Sequence, residues 1–96
     1  MPNVELFMDE VVTGLRRRLA LLGDSGDRRA IEDGIALLTR CRLRGMDEAR
    51  FEMLLSTLRA GRAPDGQPML KPAMLAGELT QRWSAFAGGT AYPARN

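Results

Sequence analysis

The chain contains no histidine, one cysteine (Cys41) and one lysine (Lys71). Each shortage removes a class of chemistry. Without histidine there is no imidazole to act as a general base near neutral pH, to activate a serine or cysteine, or to ligate a metal. A lone cysteine excludes an internal disulfide framework, and no acid or histidine pattern around it suggests an activated thiolate. Ser25, Ser56 and Ser84 could turn only to Lys71, which sits beside Pro72 where a helix is expected to start. No apolar run approaches the roughly 18 residues that a membrane span needs. No stretch alternates apolar and polar residues with β-branched enrichment, so no strand is expected.

What remains is an ordinary globular composition over 96 residues, 45% apolar and 27% charged, enough for one small domain with a modest core. Fourteen cations face twelve anions, and thirteen of those cations are arginine. A surplus of two is weak evidence for a nucleic-acid partner, although arginine has geometric uses that lysine lacks. The first residues carry Glu5 where a secretory signal would be basic, and Arg16-Arg17-Arg18 precede no long apolar stretch. The expectation is a cytoplasmic bacterial protein.

Glycine punctuates the chain into four helical segments. From Val4 to Leu22, Val4, Phe7, Met8, Val11, Val12, Leu15, Leu19 and Leu22 recur at three- and four-residue steps, with Asn3 as a cap and Gly23 as a stop. Its acids lie early and its arginine triplet late, the order that the helix dipole favours. A second helix starts near Asp27 and runs to Arg44, burying Ala30, Ile31, Gly34, Ile35, Leu37, Leu38 and Cys41. The small residues Ala30 and Gly34, and likewise Gly14 and Gly77, suggest close helix approach, because a glycine inside a helix costs about 1 kcal/mol relative to alanine. Gly45-Met46-Asp47-Glu48 marks a third helix starting at Glu48, capped by Asp47 and stapled by Met46 against Phe51, with Leu54, Leu55 and Leu58 on its buried face and Gly61 closing it.

Ala63 to Leu70 is a loop rich in Pro and Gly. Pro72 opens a fourth helix whose face is Leu75, Ala76, Leu79, Trp83 and Phe86, ended by Gly88-Gly89. The expected fold is all-α, a small antiparallel bundle of three to four helices, with one domain over residues 1–89 and a flexible tail over 90–96. The short first and second connections make the first three helices sequential neighbours, and the longer loop lets the fourth cross them.

Catalysis is not expected. The carboxylate pairs Asp9/Glu10, Glu32/Asp33 and Asp47/Glu48 occupy consecutive helix positions, which point about 100° apart, and cap or dipole roles account for them. No EF-hand spacing and no Gly-rich phosphate loop is present, so neither a metal nor a cofactor is expected.

Apolar residues left over after each helix has buried its face carry more information. Leu6, Leu21, Leu43, Met53 and Met74 all fall off their stripes. If the first two helices are antiparallel, Leu6, Leu43 and Met46 come within reach of one another, Met53 lies beyond them, and Arg40 and Arg44 edge the patch. Methionine and arginine are enriched at protein interfaces while lysine is depleted. The expected function is a non-catalytic protein–protein interaction module, of the size and class of small bacterial adaptors, chaperones and accessory proteins, binding a partner or forming a homodimer through Leu6, Leu43, Met46, Met53, Arg40 and Arg44. Self-association is the simplest version, because so small a chain buries only about 60–70% of its unfolded surface.

The alternative is a small DNA-binding regulator. The second helix, the Gly45 turn and the third helix resemble a helix-turn-helix, with Cys41, Met46, Phe51 and Leu54 at core positions and Arg40 and Arg44 where two more apolar residues would stand. Arg40, Arg42, Arg44, Arg50 and Arg59 would then lie near phosphates, although Glu48 and Glu52 share the presumed recognition helix.

Overall fold

A computed structural model describes residues 3–22 and 26–91. The described residues form four helices and no strand: α1 (Val4–Leu21), α2 (Gly26–Arg44), α3 (Glu48–Arg59) and α4 (Pro72–Ala91). The all-α expectation holds, and two of the expected caps and two of the expected glycine stops are in place. Asn3 accepts from the Leu6 N–H at 3.0 Å, and Asp47 accepts from the Arg50 N–H at 2.8 Å. Gly45 sits at φ +93° and Gly61 at φ +86°, left-handed values that glycine adopts without a Cβ clash. The stop expected at Gly23 lies outside the described residues.

Each expected stripe is the buried one. Val4, Phe7, Met8, Val11 and Leu15 of α1, Ala30, Ile31, Leu37 and Leu38 of α2, Phe51, Leu54, Leu55 and Leu58 of α3, and Leu75, Ala76 and Leu79 of α4 form the core. Val12, Leu19, Ile35, Cys41, Trp83 and Phe86 pack around its edge.

The pairing of helices differs from the sequential order that the connection lengths suggested. α1 packs on α2 and α3 packs on α4, so the fold is two helical hairpins laid together. Arg42 near the end of α2 pairs with Glu5 and Asp9 at the start of α1, and the Arg28 guanidinium at the start of α2 donates to the carbonyls of Leu19 and Leu22. These contacts make α1 and α2 antiparallel and cap the last turn of α1. α3 leaves α2 through the left-handed Gly45, and the Met46 N–H donates to the Glu5 carboxylate at 3.1 Å, fixing the corner. The apolar face of α3 is then spent mainly on α4, with Phe51 also meeting Phe7 of α1.

The aromatic side chains join the two hairpins. Phe7 packs edge-on to Phe51 and to Trp83, with centroids 5.7 and 5.0 Å apart, and Phe86 lies 5.3 Å from Phe7. Trp83 also meets Phe51 at 5.2 Å and stacks on Phe86 at 5.8 Å. Further along, Glu78 of α4 binds Arg18 of α1 at 2.5 Å and Arg82 at 2.8 Å. The start of α4 is tied to α2, where Lys71 reaches Asp27 at 3.3 Å and the Leu70 N–H donates to Asp33 at 2.9 Å.

Two local expectations are corrected. α4 passes through Gly88-Gly89 to Ala91, because glycine weakens a helix without removing a hydrogen-bond donor. Thr90 and Ala91 therefore belong to the helix, and the rest of the expected tail lies outside the described residues. The close-approach reading of the helical glycines also fails at Gly77, where an added Cβ would meet nothing within 4 Å. At Gly34 it would touch Leu75 at 3.5 Å, an ordinary contact.

Gly77→Ala should therefore stabilise the fold by about 1 kcal/mol, read as a rise in Tm of about 4–8 °C by circular dichroism. Phe7→Ala should cost about 3–5 kcal/mol, because it empties the seam between the hairpins. The fluorescence of Trp83, the chain's one tryptophan, should report that loss directly.

Candidate functional site

α3 presents Arg50, Met53, Leu54 and Thr57 on one face, at steps of three and four residues. This face forms one side of an open groove of about 1060 Å³. Cys41, Arg44, Gly45 and Met46 at the α2–α3 corner close one end, and the α3–α4 loop from Gly61 to Met69 forms the opposite wall. Met53 is 71% exposed in it, while Met46 and Met69 are half-buried against the core.

The wall is held by polar tethers. Arg40 binds Asp65 at 2.5 Å, and the Asp65 carboxylate, 8% exposed, also accepts from the Gln67 N–H at 3.2 Å. The Gly66 N–H returns to the Ala63 carbonyl at 3.1 Å, with Gly66 at φ +76°. Burial alone would raise the Asp65 pKa, but the hydrogen bonds from Arg40 and Gln67 and the charge of Arg40 outweigh it, and the carboxyl is held below its ordinary value. Glu78 is likewise lowered, with the hydrogen bonds and charges of Arg18 and Arg82 overcoming its desolvation. The Cys41 thiol moves the other way: burial, then the nearby Asp65 charge, raise its pKa, and Arg40 and Arg44 offset part of this. A thiol so placed is protonated near neutral pH and is a poor nucleophile.

The arginines that pair with carboxylates are distinct from those that line the groove, and Arg16, Arg17 and Arg59 belong to neither set. Arg18, Arg28, Arg29, Arg40, Arg42 and Arg82 each pair with a carboxylate. Arg44, Arg50 and Arg62, all on the groove, have no ion-pair partner among the described residues, and no Asp or Glu is among the residues lining it. The Arg50 guanidinium donates instead to the carbonyls of Arg44 and Gly45, covering the negative end of α2.

Of the six residues that the sequence singled out, the groove brings together Arg44, Met46 and Met53. Leu6 and Leu43 are 50% and 83% exposed, as expected for residues off their stripes, but they lie outside it. Arg40 serves as a tether for the loop rather than as a lining residue. Sequence reasoning missed Arg62, Met69 and the loop between them. The available signal was that a Pro/Gly loop flanked by Arg62 and Met69 follows a helix already presenting Met53. Leu21 and Met74, 86% and 47% exposed, stand apart from the groove.

Among the described residues no group of three Cys, Asp or Glu side chains could hold a metal ion, and no helix is long and apolar enough to cross a membrane. The chain matches no protein-family model, no curated protein and no solved structure.

The depressed carboxyls give stability a definite pH dependence. Their folded-state pKa values lie below the unfolded ones, so their contribution is complete above the ordinary carboxylate range and is lost as pH falls through about 4 and below. In a series of Tm measurements from about pH 7 to about pH 3, Asp65→Asn and Glu78→Gln together should start less stable than the parent chain and lose less on acidification.

Proposed function

We propose that this chain is a non-catalytic protein–protein interaction module whose docking site is the groove between the α2–α3 corner, α3 and the α3–α4 loop. The observation that carries the reading is the concentration of Met46, Met53 and Met69 in one open groove with Arg44, Arg50 and Arg62, none of which has an ion-pair partner among the described residues. Methionine side chains adapt to varied apolar surfaces, and arginine with methionine is what protein interfaces enrich. The occupant is a segment of another protein. Leu6 and Leu43, exposed at the end of the bundle where Arg42 meets Glu5, supply at most an outer edge of the contact.

Two further features support a binding role over chemistry. The one thiol at the groove has a raised pKa, and the two carboxyls with shifted values are both lowered, so neither is poised to act as an acid near neutral pH.

The DNA-binding reading draws support from the left-handed Gly45 turn between α2 and α3. It asks more of the arginines than they have free, since Arg40 and Arg42 are in ion pairs and leave Arg44, Arg50 and Arg59. α3 also exposes Glu48 and Glu52.

The test is site-specific photo-cross-linking in the native cell, with the reactive amino acid at Met53 or, for comparison, at Leu21. A cross-link from Met53 to one distinct protein, absent from Leu21 and abolished when Arg62 is also changed to Glu, is the expected result. Cross-links only to a second copy of the chain, or only to nucleic acid, would overturn the proposal. Met53→Glu should leave helicity unchanged, because an exposed residue away from caps and core usually shifts stability by no more than about 0.5 kcal/mol.

A further inference from the structure

The charge around the groove specifies the kind of segment that it takes. We infer that the occupant is an acidic amphipathic peptide segment, an inference that rests on the docking reading above and adds to it the chemistry of the partner.

Arg44 at the end of α2 and Arg50 at the start of α3 stand together at the corner end of the groove, and Arg62 stands on the loop, so cations flank one apolar floor from the corner and from the wall. The acids that could neutralise them are engaged or turned elsewhere. Asp47 accepts from the Arg50 N–H as the cap of α3, and Asp65 is 8% exposed and bound to Arg40 behind the loop wall. Glu48 and Glu52 lie on the neighbouring face of α3 and line no part of the groove. The carbonyls ending α2 are covered by the Arg50 guanidinium at 3.2–3.4 Å.

Elsewhere in the molecule, Arg18 and Arg42 reach across to other helices and meet carboxylates there, Arg18 at Glu78 and Arg42 at Glu5 and Asp9, while Arg59 reaches the Thr80 hydroxyl of α4. A segment that set Asp or Glu side chains against Arg44, Arg50 and Arg62 would complete the same pattern. Its apolar residues would cover Met53, Leu54 and Met69. A basic segment would add like charges to a positive rim, and a neutral apolar one would leave the three guanidiniums to be partly desolvated without a carboxylate to balance their charge.

Selection from a random peptide display library against the immobilised chain tests this, with Met53→Glu and the double variant Arg44→Gln/Arg62→Gln as counter-baits. The expected result is peptides that combine acids with large apolar residues. A synthetic copy of the best one should bind at least about tenfold more weakly to the double variant and weaken on raising salt from about 0.05 to about 0.5 M. Nitrogen–proton correlation spectra of the labelled chain with that peptide should shift at Met46, Met53, Arg62 and Met69. Peptides that need Met53 but carry no acidic bias and tolerate salt would overturn the inference and leave the docking reading standing. If no peptide depends on Met53, both fall. Tighter binding of a short DNA duplex than of any selected peptide, lost in the same double variant, would also overturn it in favour of a phosphate-bearing partner.

Discussion

The interlocked rings of Phe7, Phe51, Trp83 and Phe86 are the constraint on which the rest of the structure depends. Each hairpin could bury one side of its own helices alone, but neither would then cover its outer apolar face. α1 contributes one ring, α3 one and α4 two, so the cluster closes only when both hairpins are present. Edge-on and tilted ring pairs add directional preference to area burial, worth about 0.5–1.5 kcal/mol per pair. In a chain with so few aromatic residues, gathering these four in one place orients α3 on α4 and hence sets which face of α3 is left to the groove.

Charge completes what the rings begin. The ion pairs Arg42 with Glu5 and Asp9, Arg18 with Glu78, and Lys71 with Asp27 all join residues that are distant in sequence. All but Glu78 are substantially exposed side chains, so these pairs contribute modestly to stability, and their larger effect is on register: they favour one alignment of helices whose apolar faces alone would tolerate sliding. Among the arginines, those in ion pairs therefore differ in role from those that line the groove. One set is consumed in fixing the bundle, and the set at the groove is not.

Helix identity, caps and buried faces were legible from the sequence because they are local: periodic apolar residues, Asn3 and Asp47 before helices, and left-handed glycines after them. The exposed status of Leu6, Leu43 and Met53 was legible for the same reason. Helix pairing was not. A short connection brings α3 near the end of α2 but does not dictate which helix receives its Phe51–Leu58 face, and the complementary face was on α4, beyond a long loop. The groove was half legible for a related reason. Met46, Met53 and Arg44 announce themselves as off-stripe or corner residues, whereas Met69 and Arg62 gain meaning only when the loop folds back.

That folding back gives Arg40 a different role from the one its position suggested. Viewed along α2 it looks like one more cation at the edge of an apolar patch. In the fold it reaches across to Asp65, and the carboxylate it binds also accepts from the Gln67 N–H in the next turn of the loop. The loop has few apolar anchors, with Ala63 and Met69 near its two ends packing on the core, so its middle is positioned mainly by this pair and by the Gly66 turn. The floor of the groove includes the buried core residue Leu54, while one wall rests on a charged tether. Arg40 therefore bears on the groove through the shape of its wall and not through contact with an occupant, which separates its role from those of Arg44 and Arg62 although all three carry the same charge.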